Sequence, residues 1–168
     1  MMRLSFGADT PRAQRILAIG AHADDIEIGC GGTLLRLLEE NPGAQVRWVV
    51  LTGNLQRRDE AWNSAEDVLG ETPHELCMPG FDDGYLPHTG REVKAFFETL
   101  KAFSPDVILT HARHDLHQDH RFACELTWNT FRDHLIWEYE IPKFDGDLRT
   151  PNLYVPLTEA QARRKVDV

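Results

Sequence analysis

Long apolar runs are missing from this 168-residue chain. A membrane-spanning helix takes about 20 consecutive apolar residues, so no membrane span is expected. Cysteine is scarce: Cys30, Cys77 and Cys124 are odd in number and lack any Cys-x-x-Cys spacing. That excludes a disulfide framework and suits reduced, mostly buried side chains in a cytoplasmic protein. Basic residues are outnumbered, 18 Lys and Arg against 27 Asp and Glu, for a formal net charge of −9. Nucleic acid and anionic membrane surfaces need a basic face, so neither is expected as the main partner. A small anionic substrate held by a local Arg remains open. Residues 1–15 carry charge and no apolar core, so no secretory signal is expected. Repeats, low-complexity tracts and interdomain linkers are absent too, which leaves one domain over residues 1–168.

What is present is ordinary globular composition, 42% hydrophobic and 27% charged, in a chain long enough for a real core. Strands are expected at 15–20, 45–51, 74–78, 106–110, 137–141 and 152–155. Helices are expected at about 31–41, 57–69, 91–103 and 119–134. Residues 1–14 read as a loose lead-in, and Pro79 to Gly90 as a long loop. Thr158-Glu159-Ala160-Gln161 has capping-box form and starts a last helix. The sequence stops at Val168 about two turns into it, which reads as a chain truncated at its C-terminus. Strand and helix alternate at a spacing that implies parallel strands joined by right-handed crossovers. The fold class is therefore α/β, a Rossmann-like three-layer, doubly wound, mostly parallel sheet.

Two polar clusters stand out. Ala21-His22-Ala23-Asp24-Asp25-Ile26-Glu27 follows the first apolar strand directly. His111-Ala112-Arg113-His114-Asp115-Leu116-His117-Gln118-Asp119-His120-Arg121 follows the fourth. Both sit at the carboxyl edge of a strand, where open α/β sheets bind ligands. If the fourth strand lies beside the first, the two clusters face each other across the switch point.

Zinc sites take imidazole nitrogen and carboxylate oxygen, and catalytic ones keep a position open for water. His22 and Asp25, three residues apart on one tight loop, are close enough to bind one ion, and His120 is the best-placed third ligand. Such a set lowers the pKa of bound water to about 7. Asp24 is placed to take the proton from that water. His117 is placed to stabilise the developing oxyanion and protonate the leaving amine. Asp119 is close enough to hydrogen-bond His117, which would favour its imidazolium form. Such parts suit hydrolysis of an unactivated amide.

Each residue also has a plainer reading. Asp24 or Asp25 can cap the next helix, and Asp119 can be the N-cap of the helix near His120. The histidines at 111, 114, 117 and 120 can be a solvated face. Glu27 either orients His22 or is structural. Arg57 is a substrate-binding candidate toward a phosphate or a sugar hydroxyl, and Asp83 is one toward a sugar hydroxyl. Their alternatives are a solvated first-turn residue and a turn. Trp128, Trp137 and Tyr139 either stack on a sugar ring or pack in the core. Gly29-Cys30-Gly31-Gly32 reads as a packed turn feeding a helix. It lacks the G-x-G-x-x-G spacing, which argues against a dinucleotide-binding oxidoreductase.

The stretch from Ala21 to Thr33 resembles the first motif of the PIG-L/LmbE-like de-N-acetylases, and His114 to Arg121 resembles their second. Thr52-Gly53, Arg57, Glu60 and Leu69-Gly70 match between them, and the likeness runs over roughly residues 15–157. The resemblance implies a Rossmann-like fold, a divalent metal (Zn2+, or another such as Fe2+), and a small-molecule sugar conjugate as partner. The reaction it implies is removal of an N-acetyl group from an N-acetylglucosamine-type conjugate. It also implies His22, Asp25 and His120 as metal ligands, Asp24 as general base, and His117 as acid or oxyanion partner. Asp119 corresponds to the residue that orients His117. Ala23 stands where the family usually has Pro, and family chains normally continue for some tens of residues further. A catalytically weak metal- or sugar-binding module of the same fold is the competing expectation. Assembly into a homo-oligomer is compatible with either.

Overall fold

The computed structural model describes residues 14–167, and of Leu55 and Gln56 the backbone alone. All of the lead-in expected over residues 1–14 except Gln14 therefore lies outside the described residues. In chain order the regular elements are β1 (Arg15–Gly20), α1 (Asp25–Glu40), β2 (Gln45–Val50), α2 (Leu55–Leu69) and β3 (His74–Cys77). They continue with α3 (Gly90–Leu100), β4 (Val107–His111), α4 (Gln118–Thr130), β5 (Leu135–Tyr139) and α5 (Glu159–Asp167). Short 3-10 turns at Leu86–Thr89 and Lys101–Phe103 flank α3.

The strands form one sheet in the order β3-β2-β1-β4-β5, every pairing parallel. Successive residues of each central strand point to opposite faces, and both faces are apolar. Ile16, Ala18, Trp48, Val50 and Leu109 pack on one side with Ile26, Leu34 and Leu37 of α1 and Ala61, Ala65 and Val68 of α2. Leu17, Ile19, Val49 and Ile108 pack on the other with Val93, Phe97 and Leu100 of α3 and Ala123 and Leu126 of α4. The chain winds from β1 outward to β3, then returns past β2 and β1 to β4. Reversing the direction of winding moves the crossover helix to the opposite face, because the crossovers keep one hand. The switch point lies between β1 and β4, as the strand–helix alternation implies, and both polar clusters open there.

Several expected boundaries differ. The Gly29–Gly32 segment, expected as a turn, lies inside α1, which starts at Asp25. Gly29 and Gly32 are points of close approach. A Cβ on Gly29 would stand 2.1 Å from Tyr139 Cδ2, and one on Gly32 would stand 2.6 Å from Leu157 Cδ1. β5 begins two residues before the expected strand, and residues 152–155, expected as a strand, are irregular. The last helix is capped as its sequence implies. Thr158 N donates to Gln161 Oε1 (2.8 Å), and Gln161 N donates to Thr158 Oγ1 (3.2 Å). Among the described residues no helix is long and apolar enough to cross a membrane.

Candidate active site

The end of β1 is held from both sides. Ala21 O accepts from Thr52 N (2.9 Å) and Thr52 Oγ1 (2.7 Å), beyond β2. Ala21 N donates to Nε2 of His111, the last residue of β4 (2.9 Å). The chain then turns sharply, and His22 N donates to Asp25 Oδ2 (2.7 Å). Asp24 is the N-cap residue of α1, yet its side chain makes no capping hydrogen bond. The carboxylate is exposed and uncommitted.

The second cluster is ordered by Asp115. Its Oδ1 accepts from His117 N (2.8 Å) and its Oδ2 from His120 Nδ1 (2.9 Å). With Nδ1 spent in this way, His120 turns Nε2 toward the first cluster. There it lies 3.1 Å from His22 Nδ1 and 3.4 Å from Asp25 Oδ1, while His22 Nδ1 lies 3.3 Å from Asp25 Oδ2. The three residues expected to share one ion thus converge. Around a tetrahedral zinc with bonds of about 2.0–2.1 Å, ligand atoms stand about 3.3 Å apart, so this donor set fits such a cation. The far nitrogens complete the fit. His120 Nδ1 is held by a carboxylate, and His22 Nε2 faces Asp83 Oδ1 (3.0 Å) and Asp119 Oδ2 (3.4 Å). Metal-binding imidazoles are oriented by such partners. Among the described residues three further groupings lie close enough to hold an ion, His22 with His117 and His120, Asp25 with His111 and His120, and His22 with Asp83 and Asp119, so the cluster as a whole is rich in donors.

The electrostatics follow from burial and pairing. Burial opposes the charge on Asp25, but the imidazoles of His111, His120 and His22 outweigh it and hold the carboxyl well below the usual range. Burial likewise opposes a charged His120, yet its bonds to Asp115 and Asp25 carry it up to about 9 in the metal-free chain. His22 is raised for the same reasons, with Asp25 as its main partner. His111 is lowered by burial.

His117 departs from expectation. It is the N-cap of α4, and its Nδ1 accepts from Asp119 N (3.3 Å). Burial, with His120 and His22 nearby, lowers its pKa. A neutral ring that accepts at Nδ1 carries its proton on Nε2 and donates from there. The Asp119 carboxylate is fully buried and spent elsewhere. Oδ2 accepts from Gly84 N (2.7 Å) and Oδ1 from Leu86 N (3.2 Å), tying the loop after β3 to α4. Asp119 thus meets the His117 ring through its backbone amide, and its carboxylate faces His22.

A cavity of about 250 Å3 opens beside this cluster, lined by His22, Ala23, Asp24, Thr52, Gly53, Arg57, Asp83 and His117. Both substrate-binding candidates therefore lie on it, Arg57 paired with Glu60 (3.1 Å) and Asp83 on the tethered loop. The aromatic candidates lie elsewhere. Tyr139 is buried and donates to Ile19 O (2.7 Å), and Trp128 donates to Glu138 Oε1 (2.7 Å) beneath Arg113. Trp137 packs against the core. Glu27 turns toward Ser64 of α2, its carboxyl raised to about 7 by burial. Cys30 is buried in the core. Sequence reasoning assigned no part to His111 or Asp115, although both stand in the second cluster. The carboxylate five residues before His120 was the available signal.

Fold and site together define an α/β protein with a cluster of His and Asp side chains at the switch point of a parallel sheet. The chain belongs to the PIG-L family, whose model, described as GlcNAc-PI de-N-acetylase, matches residues 17–131. Deacetylation is amide hydrolysis, so the family is enzymatic. The chain is 34% identical over 119 residues to the "Uncharacterized deacetylase YaiS" of Escherichia coli, covering 62% of this chain and 61% of that one. It is 27% identical over 143 residues to the diacetylchitobiose deacetylase of Thermococcus kodakarensis, covering 73% of this chain and 52% of that one. It therefore spans between half and two thirds of these relatives' lengths. The fold is similar to that of the conserved protein TT1542 from Thermus thermophilus, with a TM-score of 0.73 at 21% identity, over 89% of this chain and 74% of that one.

Proposed function

We propose that this chain is a divalent-metal-dependent amide hydrolase that removes the N-acetyl group from an N-acetylglucosamine-type sugar conjugate. The observation that carries the reading is the meeting of His22 Nδ1, the Asp25 carboxylate and His120 Nε2 at separations of 3.1–3.4 Å. Beside them stands a carboxylate, Asp24, that capping leaves unspent.

His22, Asp25 and His120 hold the cation, with zinc favoured by the two imidazoles and one carboxylate. When bound, it supplies a Lewis acid and makes nearby water a stronger nucleophile at neutral pH. Asp24 takes a proton from water as its oxygen attacks the acetyl carbonyl. His117 donates a hydrogen bond from Nε2 to the carbonyl oxygen as that oxygen becomes negative. The C–N bond then breaks, the proton held by Asp24 passes to the amine nitrogen, and acetate and the free amino sugar leave. The cavity of about 250 Å3 is small among ligand pockets, which run from about 300 Å3 upward, and suits one sugar ring with the rest of the conjugate outside. On its rim Arg57 serves a ring hydroxyl or an attached phosphate, and Asp83 serves a ring hydroxyl.

The test is release of primary amine from a panel of N-acetylglucosamine conjugates, diacetylchitobiose included, by the zinc-loaded chain. Amine released by the native chain and abolished in Asp24→Asn is the expected result. No amine from any conjugate, or the same yield from Asp24→Asn, would overturn the proposal.

A further inference from the structure

The carboxylate that orders both functional histidines is itself held by a residue beyond the stretch the family model matches. Asp115 has a side chain only 2% exposed, and it already serves His117 N and His120 Nδ1. A buried carboxylate needs a compensating charge. Here it comes from the loop after β5. Lys143 Nζ lies 3.0 Å from Asp115 Oδ2 and 2.6 Å from Asp147 Oδ2. Asp147 Oδ2 also accepts from Leu116 N (2.7 Å), so the loop grips the segment between Asp115 and His117 at two points. Gly146, at φ 62°, makes the turn that brings Lys143 and Asp147 together. From the other side, Arg121 Nη1 donates to Asp115 O (3.1 Å).

We propose that Lys143 is a positioning residue for the metal centre: it clamps Asp115, with Asp147 closing the clamp, and so fixes the orientation of the His120 ring and the backbone of His117. Lys143 touches neither the cation site nor the cavity. It acts through Asp115, and the loop it belongs to lies outside residues 17–131. A long aliphatic stem ending in one charge reaches Asp115 from the loop. Methionine keeps the stem and loses the charge, whereas arginine keeps the charge.

The inference rests on the reading of His120 as a ligand, and the experiment separates the two. Zinc affinity is measured by competition with a chromophoric chelator for the native chain, Lys143→Met, Lys143→Arg and His120→Ala, with circular dichroism and thermal melting on each. Loss of an outer partner of a metal-binding His typically weakens affinity about 10–100-fold. Lys143→Met is expected to fall by about tenfold or more while staying folded, with Lys143→Arg restoring most of the loss. Native affinity in Lys143→Met would overturn the proposal. So would equal losses in Lys143→Met and Lys143→Arg, which would mark a general loosening of the loop. Undiminished zinc binding by His120→Ala would overturn the ligand reading itself, whatever Lys143 does.

Discussion

His22 Nδ1 lies 3.1 Å from His120 Nε2, although the two residues are 98 positions apart. Only the adjacency of β1 and β4 brings them together. A cation held between them, and by Asp25, must stabilise the folded chain, because unfolding separates the ligands. At a free zinc concentration of about 100 times Kd the gain is roughly 2.7 kcal/mol. A chelator should lower the melting temperature of the native chain and added zinc restore it. His120→Ala should show no such zinc response, and a preserved one would remove His120 from the ligand set.

Asp24 adjoins the three proposed ligands and is not counted among them. Asp24→Asn keeps the shape and the neighbouring donors but can no longer take a proton. General-base loss typically costs about 10²–10⁴-fold in rate. The variant should keep the native zinc-dependent melting shift and lose turnover by that factor. A parallel loss of both would mean that Asp24 serves the cation directly.

Asp119 joins α4 to the loop that carries Asp83. Replacing it with Ala leaves the buried amide of Leu86 and the part-buried amide of Gly84 without acceptors. Each buried donor left unpaired costs about 1–3 kcal/mol, so Asp119→Ala should lose roughly 2–4 kcal/mol in urea unfolding. A loss under about 1 kcal/mol would show that water replaces the carboxylate and that the loop is tethered elsewhere.

The thiols should be sluggish. Burial and Glu75 raise Cys77 to about 11, and burial with Glu138 raises Cys124 to about 12. Each is raised above its unfolded value, so the fraction of thiolate grows about tenfold per pH unit through neutral and mildly alkaline pH. Labelling of the native chain by a disulfide reagent should keep that slope up to about pH 10. A levelling-off above about pH 9 would mean a thiol with an ordinary pKa.

The parts of the site legible in the sequence are those set by neighbours along the chain. Buried strand runs ending at Gly20 and Thr110 put both clusters on one edge, and the alternation of elements put them on adjacent strands. What was not legible depends on contacts between distant residues. Asp119 looks like a partner for His117, two residues away, but its carboxylate is claimed by Gly84 and Leu86, more than thirty positions upstream. Lys143 carries no signal at all, being one charged residue in a polar loop until β5 folds against β4. The two-residue shift of β5 has a simpler cause. Trp137 to Ile141 alternates apolar and polar residues and so marks a strand by itself, but Leu135 and Ile136 extend the apolar stretch ahead of it and pair with Val107 and Ile108 of β4.

The glycine-rich motif was misread because glycine favours turns locally, and here the reason for it is non-local. Within α1 the two flanking glycines meet opposing side chains. The Gly29 Cβ site is 2.1 Å from Tyr139 Cδ2, whereas at Gly31 the nearest atom outside the helix's local backbone is Ile26 O, 3.8 Å away. The two positions should therefore respond oppositely to alanine. Gly29→Ala forces the Tyr139 ring to move and should cost about 1–3 kcal/mol, as overpacking does. The movement also loosens the hydrogen bond from Tyr139 to Ile19 O at the end of β1. Gly31→Ala adds a Cβ that meets only ordinary van der Waals contact in a helix interior, and it should gain about 0.5–1 kcal/mol from the lower backbone entropy of the unfolded chain. Thermal unfolding of the two single variants measures both. If they shift together, in either direction, the close approach of Tyr139 is not what demands glycine at position 29.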